Sequence, residues 1–213
     1  MNEKLAIVVP YRDRSEHLAI FEKAMLAYDY GVDFHIYIVE QYGDGKFNRG
    51  KLCNVGFLEA EKLGFTHVIF HDVDMIPHGV DYSPAPNVTH LAARATQFKK
   101  ELPYPKYLGG VVMFEKETFR KVGGFCNEFW GWGLEDDDLY CRCAAAAVPI
   151  TWRRQEAAWH SSIEHEKSVG PSKESLATYN LGAKGGLVNC GYQICRSYNG
   201  GKITRLLVDI DKV

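Results

Sequence analysis

Three short apolar runs alternate with two helical patterns in the first third of the chain, and this alternation restricts the fold more than any other feature. Leu5-Ala6-Ile7-Val8-Val9 is closed by Pro10, Phe34-His35-Ile36-Tyr37-Ile38-Val39 follows, and Thr66-His67-Val68-Ile69-Phe70 runs directly into His71-Asp72-Val73-Asp74. Apolar runs of this length suit strands buried on both faces. Between them, Leu18, Phe21, Met25 and Leu26 recur at helical spacing behind Ser15, a good N-cap type. Leu52, Val55, Leu58 and Leu63 do the same ahead of Gly64. The strand–helix–strand–helix–strand order predicts right-handed crossovers and an α/β fold, a mainly parallel Rossmann-like sheet flanked by helices. Ligands of such sheets bind at the carboxyl ends of the strands. The Arg12/Arg14 loop, the loop over 43–49 and the Asp72-Val73-Asp74 turn all leave that edge, so they are expected to face one site.

The second half is less regular. Residues 88–92 and 107–114 read as strands, about 117–122 and 135–147 as helices, the latter stopped by Pro149, and 150–152 and 156–160 as short strands. Residues 164–186 are polar and punctuated by Gly and Pro, a loop with one helical stretch. Residues 187–198 and 203–210 read as a closing antiparallel strand pair around Asn199-Gly200-Gly201. With no repeats or linkers, residues 1–213 are read as one domain.

Charge sets aside whole classes of partner. With 27 acidic against 25 basic residues the net charge is −2, which gives no electrostatic case for nucleic acid or an anionic membrane. No apolar run approaches a membrane span, so stable membrane insertion is not expected. The apolar start is too short for a secretory signal. Six Cys residues stand at 53, 126, 141, 143, 190 and 195 with no C-x-x-C spacing, and are read as reduced thiols, mostly buried or half-buried.

Candidate chemistry gathers in four places. Phe129-Trp130-Gly131-Trp132-Gly133-Leu134 leads into the consecutive carboxylates Glu135, Asp136, Asp137 and Asp138. As a helix start, the run has its repulsion offset by free N–H groups and the helix dipole. Asp72-x-Asp74 at a strand exit presents hard oxygen ligands for a divalent cation that bridges phosphates. His160 and His165 are candidates to complete the shell, His160 the better of the two, and imidazole beside carboxylate favours Mn2+ or another transition ion. Arg12, Arg14 and Arg49 suit a diphosphate, and Phe47 or Tyr11 can stack on a base. Each feature also has a plain structural reading: a solvated helical turn, a hydrogen-bonded histidine, a surface charge. G-x-G-x-x-G, Walker and G-x-S-x-G loops are absent, which removes support from dehydrogenase, P-loop kinase and serine-hydrolase readings.

Four motifs occur in order: Val9-Pro10-Tyr11-Arg12-Asp13-Arg14, Phe47-Asn48-Arg49-Gly50-Lys51-Leu52-Cys53-Asn54-Val55-Gly56-Phe57, Phe70-His71-Asp72-Val73-Asp74-Met75-Ile76-Pro77 and Trp130-Gly131-Trp132-Gly133-Leu134-Glu135-Asp136-Asp137-Asp138. Together they resemble the catalytic domain of the β-1,4-galactosyltransferases, glycosyltransferase family 7, inverting enzymes of the GT-A fold. The resemblance spans nearly the whole chain. It implies a single GT-A catalytic domain with a nucleotide-sugar half (1–78) and an acceptor half (79–213), Mn2+ as cofactor, UDP-galactose as donor and a saccharide or glycan acceptor. By position it implies Asp136 as general base with Glu135 beside the donor sugar. Pro10, Tyr11, Arg12, Arg14, Phe47 and Arg49 match positions that hold UDP. Asp72, Val73, Tyr107, Gly110 and Trp132 fall with the donor, Tyr107 matching a tyrosine that disfavours an N-acetylated sugar. Asp137, Tyr104 and Leu134 fall with the acceptor, and Asp74, His160 and His165 with the metal.

Three departures from the family pattern carry expectations of their own. Leu134 stands where many members have a third Gly and the xylose-acceptor branch a larger residue, so a reshaped acceptor pocket is expected. Ala157 replaces a Met that lies three residues before the metal His in the vertebrate lactose-type enzymes. The anchor and stem of the Golgi enzymes do not precede the domain, so a cytoplasmic enzyme of bacterial or viral source is expected. Two other readings stay open: the same fold using UDP-GalNAc or UDP-GlcNAc, as in chondroitin-polymerase-like domains, and a non-catalytic carbohydrate-binding relative.

Overall fold

The first three apolar runs form neighbouring strands. In the computed structural model, which describes residues 3–164, 170–180 and 182–211, β1 (Lys4–Tyr11) lies between β2 (Asp33–Gln41) and β3 (His67–His71), parallel to both. The helices α1 (Ser15–Leu26) and α2 (Arg49–Glu61) make the crossovers. Strand alternation divides the side chains between two cores. Ala6, Val8, Tyr37, Val39, Val68 and Phe70 pack with Leu52, Val55 and Phe57 of α2. Leu5, Ile7, Val9, Ile36, Ile38 and Ile69 pack with Leu18, Phe21 and Met25 of α1. Gly56 is required where α2 lies on β1, because a Cβ there would stand 2.2 Å from Val8 Cγ1.

The sheet continues on both sides in the order β7-β5-β6-β3-β1-β2-β10-β9. Here β5 is Val88–His90, β6 Val111–Glu115, β7 Ile150–Trp152, β9 Gln193–Gly200 and β10 Ile203–Asp209. The pairs β1–β2, β1–β3, β2–β10 and β5–β7 are parallel, whereas β3–β6, β5–β6 and β9–β10 are antiparallel. A separate antiparallel ribbon joins β4 (Met75–His78) to β8 (Trp159–Ser162). The remaining helices are α3 (Lys116–Val122), α4 (Glu135–Ala145) and α5 (Lys173–Asn180).

Several local expectations shift, each for a visible reason. The closing hairpin forms, but β10 inserts parallel to β2, burying Leu206 and Val208 and leaving every residue of β9 exposed at the edge. Residues 187–189 make a 3-10 turn, so the outer strand starts at Gln193. The strand expected from 107 begins at Val111, because Gly110 has φ +80° and turns the preceding chain over the sheet edge. β8 starts later than expected because it pairs with Met75–His78, a strand not expected from the sequence. Leu63 lies past the end of α2 and is 61% exposed. Ser15 is the first helical residue; Arg14 holds the N-cap position and donates its N–H to the Tyr11 hydroxyl at 3.2 Å. Cys53, Cys126, Cys143 and Cys190 are buried thiols, and Cys141 and Cys195 are exposed.

A buried amide network joins the N-terminal end of α2 to the second half. Asn48 caps α2 by accepting Lys51 N–H at 2.8 Å, and donates to Asn127 O at 2.7 Å. Asn54 accepts Phe125 N–H at 2.9 Å and donates to Phe125 O at 2.8 Å and Asn127 Oδ1 at 2.8 Å. Asn127 in turn donates to Gly186 O at 2.8 Å. Asn54→Leu leaves the Phe125 N–H and carbonyl buried without these partners, a loss of about 2–4 kcal/mol. The expected result is a lowered urea midpoint with unchanged slope; an unchanged midpoint would show that the network contributes little.

Candidate active site

The site is built around the first residue of α2. Arg49 leaves that helix at the carboxyl edge of the sheet, where its Nε lies 2.8 Å from Asp72 Oδ1 and its Nη1 2.9 Å from Asp136 Oδ1. The same Nη1 stands 3.7 Å from Glu135 Oε1. Nη2 is buried with no partner among the described residues. Asp72 is held past the end of β3 by donating its N–H to Gly110 O at 3.0 Å. Glu135 and Asp136 open α4, as the acidic run predicts.

The four carboxylates of that run are divided among three partners. Glu135 and Asp136 turn toward Arg49. Asp137 lies by the Tyr104 hydroxyl, and that carboxylate, after burial, helps hold the phenol proton on. Asp138 accepts Arg142 Nε at 2.6 Å one turn along the helix, and Arg142 Nη1 donates onward to Gly185 O at 2.9 Å. Burial raises the pKa values of Glu135 and Asp136, each also opposed by neighbouring carboxylates, while Arg49 pulls both down. Burial works against the charge of Arg49, yet Asp136 and Asp72 hold it firmly protonated.

The floor of the site is the 107–110 segment. A Cβ on Gly109 would fall 2.4 Å from Asp136 Oδ2 and 2.7 Å from the Tyr107 hydroxyl oxygen, so both groups press on this residue's main chain. Burial, then Asp136, raises the Tyr107 pKa. Tyr104 and Phe98 meet the Tyr107 ring edge-on, with centroids 5.4 Å away in both cases.

On the opposite side, Pro10 and Tyr11 end β1. Arg12 Nη1 donates to Gly45 O at 2.6 Å, and its guanidinium carbon lies 5.4 Å from the Phe47 ring centroid, which fixes the loop after β2. Phe47 O accepts Gly131 N–H at 2.8 Å, linking this loop to the tryptophan segment. Trp132 is 55% exposed; its carbonyl accepts Ser172 N–H at 3.0 Å, and the Trp130 carbonyl accepts the Ser172 hydroxyl at 2.8 Å. Val73 is buried beneath the Asp72–Asp74 turn.

Of the three residues assigned to the metal, Asp74 and His160 lie among the described residues, and the surroundings of His160 correct its assignment. Asp74 lies at the start of the β4–β8 ribbon, where its carbonyl accepts Ile163 N–H at 2.8 Å. His160 does not open onto this edge. It sits opposite Pro77 in the ribbon, fully buried, with Nε2 3.1 Å from the Tyr82 hydroxyl, which is itself 2.8 Å from His71 Nε2. Burial and the neighbouring His71 hold the His160 pKa well below its usual value. The ring is a member of a buried hydrogen-bonded row, and its apolar strand, the basis for preferring it, is what carries it inside. His165 lies outside the described residues. Among the described residues no group of three His, Cys, Asp or Glu is gathered to hold a metal ion. Asp72 and Asp74 supply oxygen donors that suit a divalent cation, but not a full shell.

No sequence motif assigns a role to His71, Tyr82 or His90. His71 and His90 each close an apolar strand, so their burial was legible from position. His71 Nδ1 lies 2.9 Å from Asp72 O and His90 Nε2 2.7 Å from Gly109 O, so each donates to a site carbonyl.

Two outcomes follow from this geometry. Leu134 has φ +76°, left-handed backbone that costs a non-glycine residue about 1–2 kcal/mol. Leu134→Gly relieves that strain and returns part of it as chain entropy, so it is expected to raise stability by about 0.5–1 kcal/mol in thermal unfolding. A lower melting temperature would contradict the strain argument. Burial pushes His71 and His90 down to about 4. For a histidine with a depressed folded pKa, the contribution to stability is complete above the unfolded pKa of about 6.5 and is lost as pH falls toward 4. The ring proton resonances of both are therefore expected to stay in their neutral positions from pH 7 to 5; titration near 6.5 would refute their buried, neutral state.

The arrangement agrees with comparisons to known proteins. Residues 1–82 match the model described as the N-terminal region of glycosyl transferase group 7, and residues 89–166 the model described as the N-terminal domain of galactosyltransferase. The chain is 40% identical over 167 residues to β-1,4-galactosyltransferase 6 of Rattus norvegicus, covering 76% of this chain and 44% of that protein. It is 33% identical over 218 residues to β-1,4-galactosyltransferase 4 of Mus musculus, covering 97% of this chain and 63% of that protein. It thus spans less than two thirds of the length of these relatives. A structure of a Drosophila β-1,4-galactosyltransferase 7 mutant in complex with manganese, UDP-Gal and xylobiose superposes with a TM-score of 0.84 at 27% identity, covering 99% of this chain and 95% of that chain. The sheet and its flanking helices are accordingly the GT-A fold. These relatives are animal proteins and give no support to a bacterial or viral source. Among the described residues no helix is long and apolar enough to cross a membrane. Two family models in sequence order, the whole-length likeness to a solved relative and the convergence of Arg49, Asp72 and Asp136 lead to one conclusion: the chain belongs to the β-1,4-galactosyltransferase family.

Proposed function

We propose that the chain transfers galactose from UDP-galactose to a sugar hydroxyl with inversion, forming a β-1,4 linkage, with Asp136 as general base. The observation that carries this reading is the setting of Asp136: one oxygen is anchored on Arg49 at 2.9 Å and the other lies against Gly109, across from Asp72. Burial raises its pKa, which makes it a stronger base than a free carboxylate, while Arg49 favours the ionised form that accepts a proton. The acceptor oxygen attacks the anomeric carbon as its proton passes to Asp136. The bond from that carbon to the phosphate oxygen breaks, and UDP leaves with the electron pair.

The other residues divide between the two substrates. Pro10, Tyr11 and Phe47 face the nucleotide, and Arg12 and Arg14 its phosphates. Arg49, buried against Asp72 and Asp136, acts on the donor side by holding those two carboxylates in place. Asp72, Val73 and Gly110 line the donor sugar with Glu135, and Tyr107 fills the space an N-acetyl group would need, which favours galactose. Trp132, exposed and tethered by Ser172, covers the donor and excludes water. Asp137, Tyr104 and Leu134 receive the acceptor. Residues 1–78 therefore carry most of the nucleotide contacts and 79–213 the acceptor contacts. Asp74 is assigned to Mn2+ from its place at the carboxyl edge beside Asp72, and His165, outside the described residues, is assigned with it on the family resemblance. When bound, the cation neutralises charge growing on UDP. Xylobiose in the Drosophila relative and Leu134 in place of a glycine together make a xyloside the acceptor of choice.

Asp136→Asn keeps the shape and removes the base. Transfer from UDP-galactose to a xyloside is expected to fall about 10³-fold, with UDP affinity in Mn2+ changed by less than about threefold. Turnover within about tenfold of the parent would remove Asp136 from this role.

A further inference from the structure

We infer that His90 is a positioning residue of the site: its Nε2–H holds the Gly109 carbonyl and its ring backs Tyr107, so that Gly109 and the Tyr107 hydroxyl stay seated against Asp136. This rests on the galactosyl-transfer reading. His90 is fully buried at the end of β5, so it cannot touch either substrate and acts through its neighbours. Its Nε2 lies 2.7 Å from Gly109 O, an atom that only accepts, which places the proton on Nε2. Nδ1 then carries a lone pair, with no partner among the described residues. A protonated ring would bury an unsatisfied N–H there, and burial keeps the ring neutral.

The contacts around the ring define a bracket. Tyr107 stands edge-on to His90 with centroids 5.7 Å apart at 85°. Trp152, opposite His90 in β7, donates its indole N–H to Tyr107 O at 3.3 Å, and Arg153 N–H donates to His90 O at 3.0 Å. Tyr107 is thus held at its ring by β5 and at its carbonyl by β7, while Gly109 is held by His90 and, at 3.1 Å, by Val111 N–H. Nothing larger than hydrogen fits on Gly109, since Asp136 Oδ2 and the Tyr107 hydroxyl already occupy the Cβ position. A shift of the Gly109 carbonyl therefore moves the surface against which the base rests. Losing the His90 donor loosens the base and the tyrosine without touching the Arg12 and Phe47 side of the site.

The test compares His90→Leu, which keeps bulk and loses the donor, with His90→Gln, whose amide can donate to the same carbonyl. His90→Met replaces the leucine variant if that one does not fold. Donor kinetics are measured with UDP-galactose and UDP-GalNAc, and the crystal structure of the apolar variant is solved. The apolar variant is expected to lower kcat about 10- to 100-fold, with KM for UDP-galactose within about threefold, and to raise relative use of UDP-GalNAc. His90→Gln is expected to recover most of kcat. Parental kcat and selectivity in the apolar variant, or equal losses in the glutamine variant, would overturn the inference. If the parent itself transfers no galactose, the transfer reading fails on its own, and the crystal structure still decides: a displaced Gly109 carbonyl and Tyr107 hydroxyl support the positioning role, and unmoved atoms overturn it.

Discussion

One buried guanidinium ties the site together. Arg49 receives Asp72 from the end of β3 and Asp136 and Glu135 from the start of α4, so three elements converge on one cation. Carboxylates at this spacing repel strongly where little water screens them. Taking away the guanidinium would leave them uncompensated, and breaking a buried pair of this kind costs about 3–5 kcal/mol. The placement of α2 is therefore as important as the acids themselves. Asn48 caps that helix one residue earlier and binds the Asn127 carbonyl, so the amide network that joins the two halves also aims Arg49.

The same cluster sets opposing influences on the proposed base. Burial favours the protonated acid, and Arg49 favours the anion. A carboxylate held between these is more basic than one in water and keeps a cation beside its anionic form, which suits proton removal from a sugar hydroxyl. Around it, His71 and His90 stay neutral and donate to the Asp72 and Gly109 carbonyls, so the polypeptide beneath the acids is held without adding charge.

Much of this was legible before folding. The alternating apolar runs and helical spacings gave the central strands, and motif order pointed to the family. Other parts depended on contacts between distant residues. His160 looks like a ligand in the sequence because it ends a strand-like run near acids, yet pairing of β8 with β4 turns it inward to Tyr82. Leu134 reads as a change in pocket size, while its φ of +76° shows that it also carries backbone strain where a glycine would carry none. Insertion of β10 beside β2 was equally hidden, since a hairpin pattern records how its own strands pair and not where the pair docks.

By itself the sequence determined the α/β alternation, the loops at the carboxyl edge of the sheet and the acidic helix start, because these follow from local periodicity and short motifs. Only the tertiary structure decided which partner each carboxylate takes: Arg49 for Asp72, Glu135 and Asp136, Tyr104 for Asp137, and Arg142 for Asp138. The four acids of the run are chemically alike and adjacent, so their roles differ through what the folded chain brings to each. Charge pairing at 2.6 to 3.7 Å is a property of positions in space, and no local pattern encodes it.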